Sequence, residues 1–78
     1  MDLEQEKQLV ERAKNDTGAF GELYDRYYPR IFGYVLRRTA NIGSTQDITS
    51  EVFFKAIKNI GKFQWREIPF SSWLFRIA

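Results

Sequence analysis

The sequence predicts an all-α protein, a small bundle of about four helices with a basic, aromatic loop before the last one. Three observations carry this. Apolar residues recur at helical spacing in four separate stretches. Breakers separate those stretches: Asp16-Thr17-Gly18, then Asn41-Ile42-Gly43, then Gly61 through Pro69. Capping residues stand where each stretch begins.

The first helix is expected over Asp2 to Asn15. Asp2 with Gln5 three residues later has the form of a capping box, and Glu4 and Glu6 suit the positive end of the helix dipole. Its apolar stripe of Leu3, Leu9, Val10 and Ala13 is thin, enough to pack along the next helix. Asp16-Thr17-Gly18 caps a longer helix, Ala19 to Thr39. Phe20, Leu23, Tyr24, Tyr27, Ile31, Tyr34, Val35 and the stem of Arg38 form a wide core face on it. Pro29 falls on the opposite face, where it removes a partner from the Asp25 carbonyl and should bend the helix.

A turn at 39–43 leads to the third helix, with Gly43 supplying conformational freedom and Ser44 or Thr45 as the cap. This helix runs to about Ile60, where Gly61 ends it. Ile48, Val52, Ala56 and Ile60 fall on its core side with Thr49 and Phe53 beside them. After the loop, Pro69 opens a fourth helix with Phe70, Trp73, Leu74 and Ile77 facing the core. Nothing in the sequence caps that helix before Ala78, so the chain reads as a fragment of a longer protein.

Composition narrows the function. The chain has 78 residues, 44% hydrophobic and 28% charged, near the lower limit for a domain that folds alone. With no cysteine and no histidine it has no disulfide, no thiolate nucleophile, no imidazole and none of the usual zinc ligands. No cofactor or metal is expected, and an enzyme built on Asp47 and Glu51 is disfavoured because both fall on a solvated helix face. No apolar run approaches the ~20 residues of a membrane span, and MDLEQEKQ is unlike a signal peptide. A cytoplasmic monomer that does not insert into membranes is the expectation. Charge is uneven: −3 through Arg26 and +5 from Tyr27 onward. The basic part is where a polyanion would bind.

Two surfaces are not explained by core packing. The outer face of the third helix carries Asp47, Ser50, Glu51, Phe54 and Lys58, and an aromatic among charges suggests a partner protein. The alternative is that Phe54 is partly packed under a neighbouring helix. The loop Gly61–Pro69 gathers Lys62, Phe63, Gln64, Trp65 and Arg66, a mix of charges for phosphates and rings for unstacked bases. Its alternative is a set of aromatics that plug the end of a bundle. Ser71, Phe75 and Arg76 of the fourth helix continue that surface. Arg37 and Arg38 either cap the second helix or contact phosphate.

Asp47-Ile48-x-x-Glu51-Val52-Phe53-x-Lys55-Ala56, then Phe63, then Pro69-Phe70-x-x-Trp73-Leu74-x-Arg76-Ile77-Ala78 resembles the second conserved region of bacterial extracytoplasmic-function (ECF) sigma factors. Ala19-Phe20-x-x-Leu23-Tyr24-x-x-Tyr27 and Tyr34-Val35-x-Arg37-Arg38-Thr39 fit the same region. The chain departs from the family at Thr45-Gln46-Asp47, where Ala-Glu-Asp is usual, and at Ser50, where Gln is usual.

The resemblance implies a transcription initiation factor domain without the C-terminal helix-turn-helix domain. Asp47, Ile48, Ser50, Glu51, Phe54, Lys55 and Lys58 would then bind the clamp helices of the β′ subunit of core RNA polymerase. Lys62, Phe63, Gln64, Trp65 and Arg66, with Ser71, Phe75, Arg76, Arg37 and Arg38, would hold non-template-strand bases of the promoter minus-ten element. An anti-sigma factor is a further implied partner. The rival is a helical interaction module that binds a partner or anti-sigma factor but not DNA.

Overall fold

A computed structural model describes residues 2–64 and 69–78. Their order is α1 (Leu3–Ala13), α2 (Thr17–Thr39), α3 (Ile42–Asn59), a 3-10 turn (Ile60–Lys62) and α4 (Phe70–Ile77), with no strand among the described residues. Trp65 and Arg66, two of the expected loop residues, lie outside the described residues.

The capping box at α1 forms as expected: the Gln5 amide donates to the Asp2 side chain at 2.8 Å, and the Gln5 side chain accepts from the Asp2 amide at 3.2 Å. At α2, Asp16 accepts from the Gly18 amide at 2.8 Å. The α1 stripe differs from expectation at both ends of the polarity scale. Leu3 is exposed, and Glu6 is buried with Leu9, Val10 and Ala13. Glu6 faces inward because the Tyr27 hydroxyl donates a hydrogen bond to its carboxyl group, the partner that a buried charge requires.

Helix α2 is the spine, packing against α1 on one side and α3 on the other. Phe20, Leu23, Tyr27, Ile31 and Val35 are buried, whereas Tyr24 and Tyr34 lie at the rim and Arg38 is exposed. Helix α2 continues through Pro29, which is exposed. Each fully buried large side chain in such a stripe contributes about 1.5–3 kcal/mol.

The turn into α3 is shorter than expected. Gly43 lies inside α3, and the residue in the left-handed region is Ala40, at φ 53°. Asn41, rather than Ser44 or Thr45, caps α3, accepting from the Ser44 amide at 2.8 Å. Thr45 is fully buried instead, its hydroxyl 2.7 Å from both the Asn41 carbonyl and the Thr39 hydroxyl. A threonine here ties the two helix ends together.

Val52, Phe53, Ala56 and Ile60 bury against α2 as expected, with Thr49 between them. Ile48 does not join them. It is 39% exposed, because the buried stripe of α3 runs through Thr45, Thr49, Val52, Phe53 and Ala56 and Ile48 stands off its side on the helix wheel. Gly61 takes part in the 3-10 turn with no positive φ. From α4, Phe70 and Leu74 are fully buried, while Trp73 and Ile77 are half-buried rather than core. An eight-residue helix lying against α3 closes over only two of its four apolar positions.

Candidate protein and nucleic-acid interfaces

The outer face of α3 forms as the spacing implies. Asp47, Ser50, Glu51, Phe54, Lys55 and Lys58 are all exposed. Phe54 is 57% exposed, with the Lys58 ammonium 5.2 Å from its ring centroid. Lys55 lies 4.0 Å from Glu51, an exposed pair of little energetic consequence. Phe54 is therefore not packed under a neighbouring helix. Two further apolar residues are partly exposed: Ile57, which the sequence pattern did not single out, and Tyr24, which it placed on the core face of α2. Ile57 of α3 is 40% exposed and Tyr24 of α2 is 38% exposed, with the Tyr24 ring 4.8 Å from that of Phe53. The pattern could have revealed Ile57, since it falls outside the Val52, Ala56 and Ile60 stripe.

On the other flank of α3, Asp47, Ile48 and Glu51 line a shallow depression with Val52, Lys55, Ile77 and Ala78. Ile48 thus borders the charged face rather than filling the core.

The start of the loop divides between core and surface. Lys62 and Gln64 are exposed, but Phe63 is only 6% exposed. Its ring meets Phe70 edge-on at 5.9 Å and Trp73 at 5.1 Å. Phe63, expected as a base contact, is therefore a plug at the end of the bundle, held by the extended backbone that leaves the 3-10 turn. Trp73, expected as core, is the ring that reaches solvent. It lines a groove of about 480 Å³ with Lys55, Asn59, Lys62, Phe63 and Ile77. The groove thus combines two ammonium groups with an accessible indole.

Arg76 is exposed on α4, Ser71 is partly buried, and Phe75 packs edge-on against Tyr34 at 5.2 Å. Arg37 and Arg38 are exposed at the C-terminal end of α2. Arg38 donates to the Tyr34 hydroxyl at 2.6 Å with its guanidinium 4.2 Å from that ring. Among the described residues no cluster of three or more acidic side chains is placed to hold a metal, and no helix is long and apolar enough to cross a membrane.

The bundle thus presents a charged helix face bearing an exposed aromatic, and beside it a groove of two lysines and an indole, the two sharing Lys55 and Ile77. Residues 23–78 match the family Sigma-70 region 2, and the chain belongs to it. Its relatives place it in the ECF group. It is 39% identical over 72 residues to the ECF RNA polymerase sigma factor BldN of Streptomyces coelicolor, covering 91% of this chain and 27% of that protein. It is 38% identical over 76 residues to the RNA polymerase sigma-H factor of Pseudomonas aeruginosa, covering 96% and 39%. To the ECF RNA polymerase sigma factor SigW of Bacillus subtilis it is 33% identical over 78 residues, covering 100% and 41%. The chain thus spans between about a quarter and two fifths of the length of these relatives. No solved structure matches it with significance.

Proposed function

We propose that this chain is the polymerase- and promoter-binding part of a bacterial transcription initiation factor, acting in the cytoplasm. The outer face of α3 docks on the clamp helices of the β′ subunit, and the surface from the loop across α4 takes non-template bases of the minus-ten element. The observation that carries the reading is Phe54, 57% exposed between Asp47, Ser50, Glu51 and Lys58 on one helix face. An apolar ring bordered by acids suits a basic, partly apolar coiled coil, where the ring is desolvated and the acids pair.

On the nucleic-acid side, Lys62 and Trp73 are the described residues best placed to receive an unstacked base. One supplies charge and the other a ring, and stacking returns roughly 1–3 kcal/mol per base. That offsets the few kcal/mol needed to unstack it. The work is recognition, with no bond made or broken.

The test is binding of the 78-residue chain to purified core RNA polymerase, wild type against Glu51→Lys. Binding that the charge reversal abolishes supports the reading. Binding that is indifferent to it, or absent in both, refutes the α3 contact.

A further inference from the structure

Arg30 and Tyr34 have no role in the reading above, yet they complete an unbroken chain of cation and ring contacts across α2 and α4. The Arg30 guanidinium lies 5.1 Å from the Tyr27 ring centroid and 6.0 Å from that of Phe75. Phe75 meets Tyr34 edge-on at 5.2 Å, and Tyr34 carries Arg38 on its ring at 4.2 Å and on its hydroxyl at 2.6 Å. Arg30 and Arg38 are both exposed. Neither is in an ion pair among the described residues, whose pairs are Arg12 with Glu22, Lys14 with Glu11 and Lys55 with Glu51.

We propose that Arg30, Tyr34 and Arg38 of α2, with Phe75 of α4, form a second nucleic-acid contact that grips the sugar–phosphate backbone of single-stranded DNA. This rests on the promoter-binding reading, adds Arg30 and Tyr34 to it, and gives Arg38 and Phe75 a backbone-holding role rather than a base-holding one.

Three physical points carry it. A guanidinium lying on an aromatic face can turn its N–H edge outward, and that edge is the part that bonds phosphate oxygens two at a time; Arg38 spends one donor on the Tyr34 hydroxyl and keeps its other N–H groups for a phosphate. The rings also fix the arginine side chains before a ligand arrives, so less rotamer entropy is lost on binding. Finally, Arg30 and Arg38 are eight residues apart on one helix, about 12 Å along its axis, enough to track several phosphates of one strand. Arg76 and Ser72 are exposed on α4. By helical period they lie between the Phe75 side and the Trp73 groove. A strand whose base enters the groove therefore crosses α4 over Arg76 to reach this strip.

Contacts of this kind hold backbone and carry no sequence information. The experiment is a fluorescence-anisotropy titration of the 78-residue chain with a labelled 12-nucleotide single strand, repeated across a salt series. Arg30→Gln and Arg38→Gln should each weaken binding about three- to tenfold, equally for different sequences. Each should flatten the plot of log affinity against log salt by about 0.7. Arg30→Lys keeps the charge and should keep the wild-type slope. Weaker binding of Arg30→Gln with an unchanged slope would make the arginine a packing residue only and overturn the proposal. So would equal affinity and slope for a duplex of the same length. Lys62→Gln separates this from the parent reading. If it weakens binding while the arginine variants do not, the loop stands and the strip falls; the converse leaves the strip and removes the loop. A wild type that binds no single strand removes both.

Discussion

The hydroxyl of Tyr27 donates a hydrogen bond to the buried carboxyl group of Glu6, 21 residues earlier, and so ties α1 to the spine of the bundle. Burial, and then the bond and charge of Glu6, raise the Tyr27 phenol above its ordinary value of 10.0. Tyr27→Phe leaves the Glu6 oxygen buried without its donor, which should cost about 1–3 kcal/mol in urea denaturation. Glu6→Gln keeps an acceptor and should cost less. The pH dependence has a definite sign. The folded state holds the phenolic proton more tightly than the unfolded chain. This contribution is therefore fully present below the ordinary phenol value and is lost as pH rises above it toward the raised one. Stability measured from neutral to strongly alkaline pH should fall less steeply in Tyr27→Phe than in wild type. Parallel profiles would contradict the coupling.

Phe54→Ala should leave stability within about 0.5 kcal/mol, as for a surface change, because 57% of the residue is exposed. The same variant should weaken polymerase binding by about 1–3 kcal/mol. Calorimetry on the free chain and a polymerase titration check the two halves separately. A destabilised variant would place the ring in the core after all.

Phe70 and Trp73 should differ in stability. Phe70 is 1% exposed and packs within 6 Å of the rings of Tyr27, Phe63 and Trp73, so Phe70→Ala should cost about 3–5 kcal/mol. Trp73 is half-buried in an open groove, so Trp73→Ala should cost less, about 2 kcal/mol. At equal folded fraction Trp73→Ala should also lower affinity for a single strand. Urea denaturation gives the first comparison and an oligonucleotide titration the second.

The turn between α2 and α3 stores strain that can be removed. Ala40 at φ 53° holds a conformation that disfavours a Cβ, so Ala40→Gly should stabilise the chain by about 0.5–1 kcal/mol. Asn41→Ala removes the cap of α3 and should cost about 1 kcal/mol. Thermal unfolding midpoints moving in opposite directions would bear this out.

Much of this architecture is legible in the sequence, and the reasons for the exceptions are specific. The four helices and the outer face of α3 follow from period alone, because Asp47, Glu51 and Phe54 recur on the side away from Val52 and Ala56. Period is blind to partners in other elements. Glu6 faces inward only because Tyr27 meets it, and Thr45 is buried only because Thr39 and Asn41 bond it. Phe63 is buried and Trp73 only half-buried, the reverse of the expectation, for the same reason. Both are apolar rings at the end of the bundle, and the backbone leaving the 3-10 turn decides which one the core encloses. Ala40 carried no turn signature, whereas Gly43 carried one that the helix did not use.

The most direct measurement of the central claim is chemical-shift mapping of the labelled chain on addition of the β′ clamp-helix segment. The account predicts amide and side-chain shifts concentrated at Asp47, Ser50, Glu51, Phe54 and Lys58, with α1 silent. Shifts centred on α1, or none at saturating concentration, would contradict it.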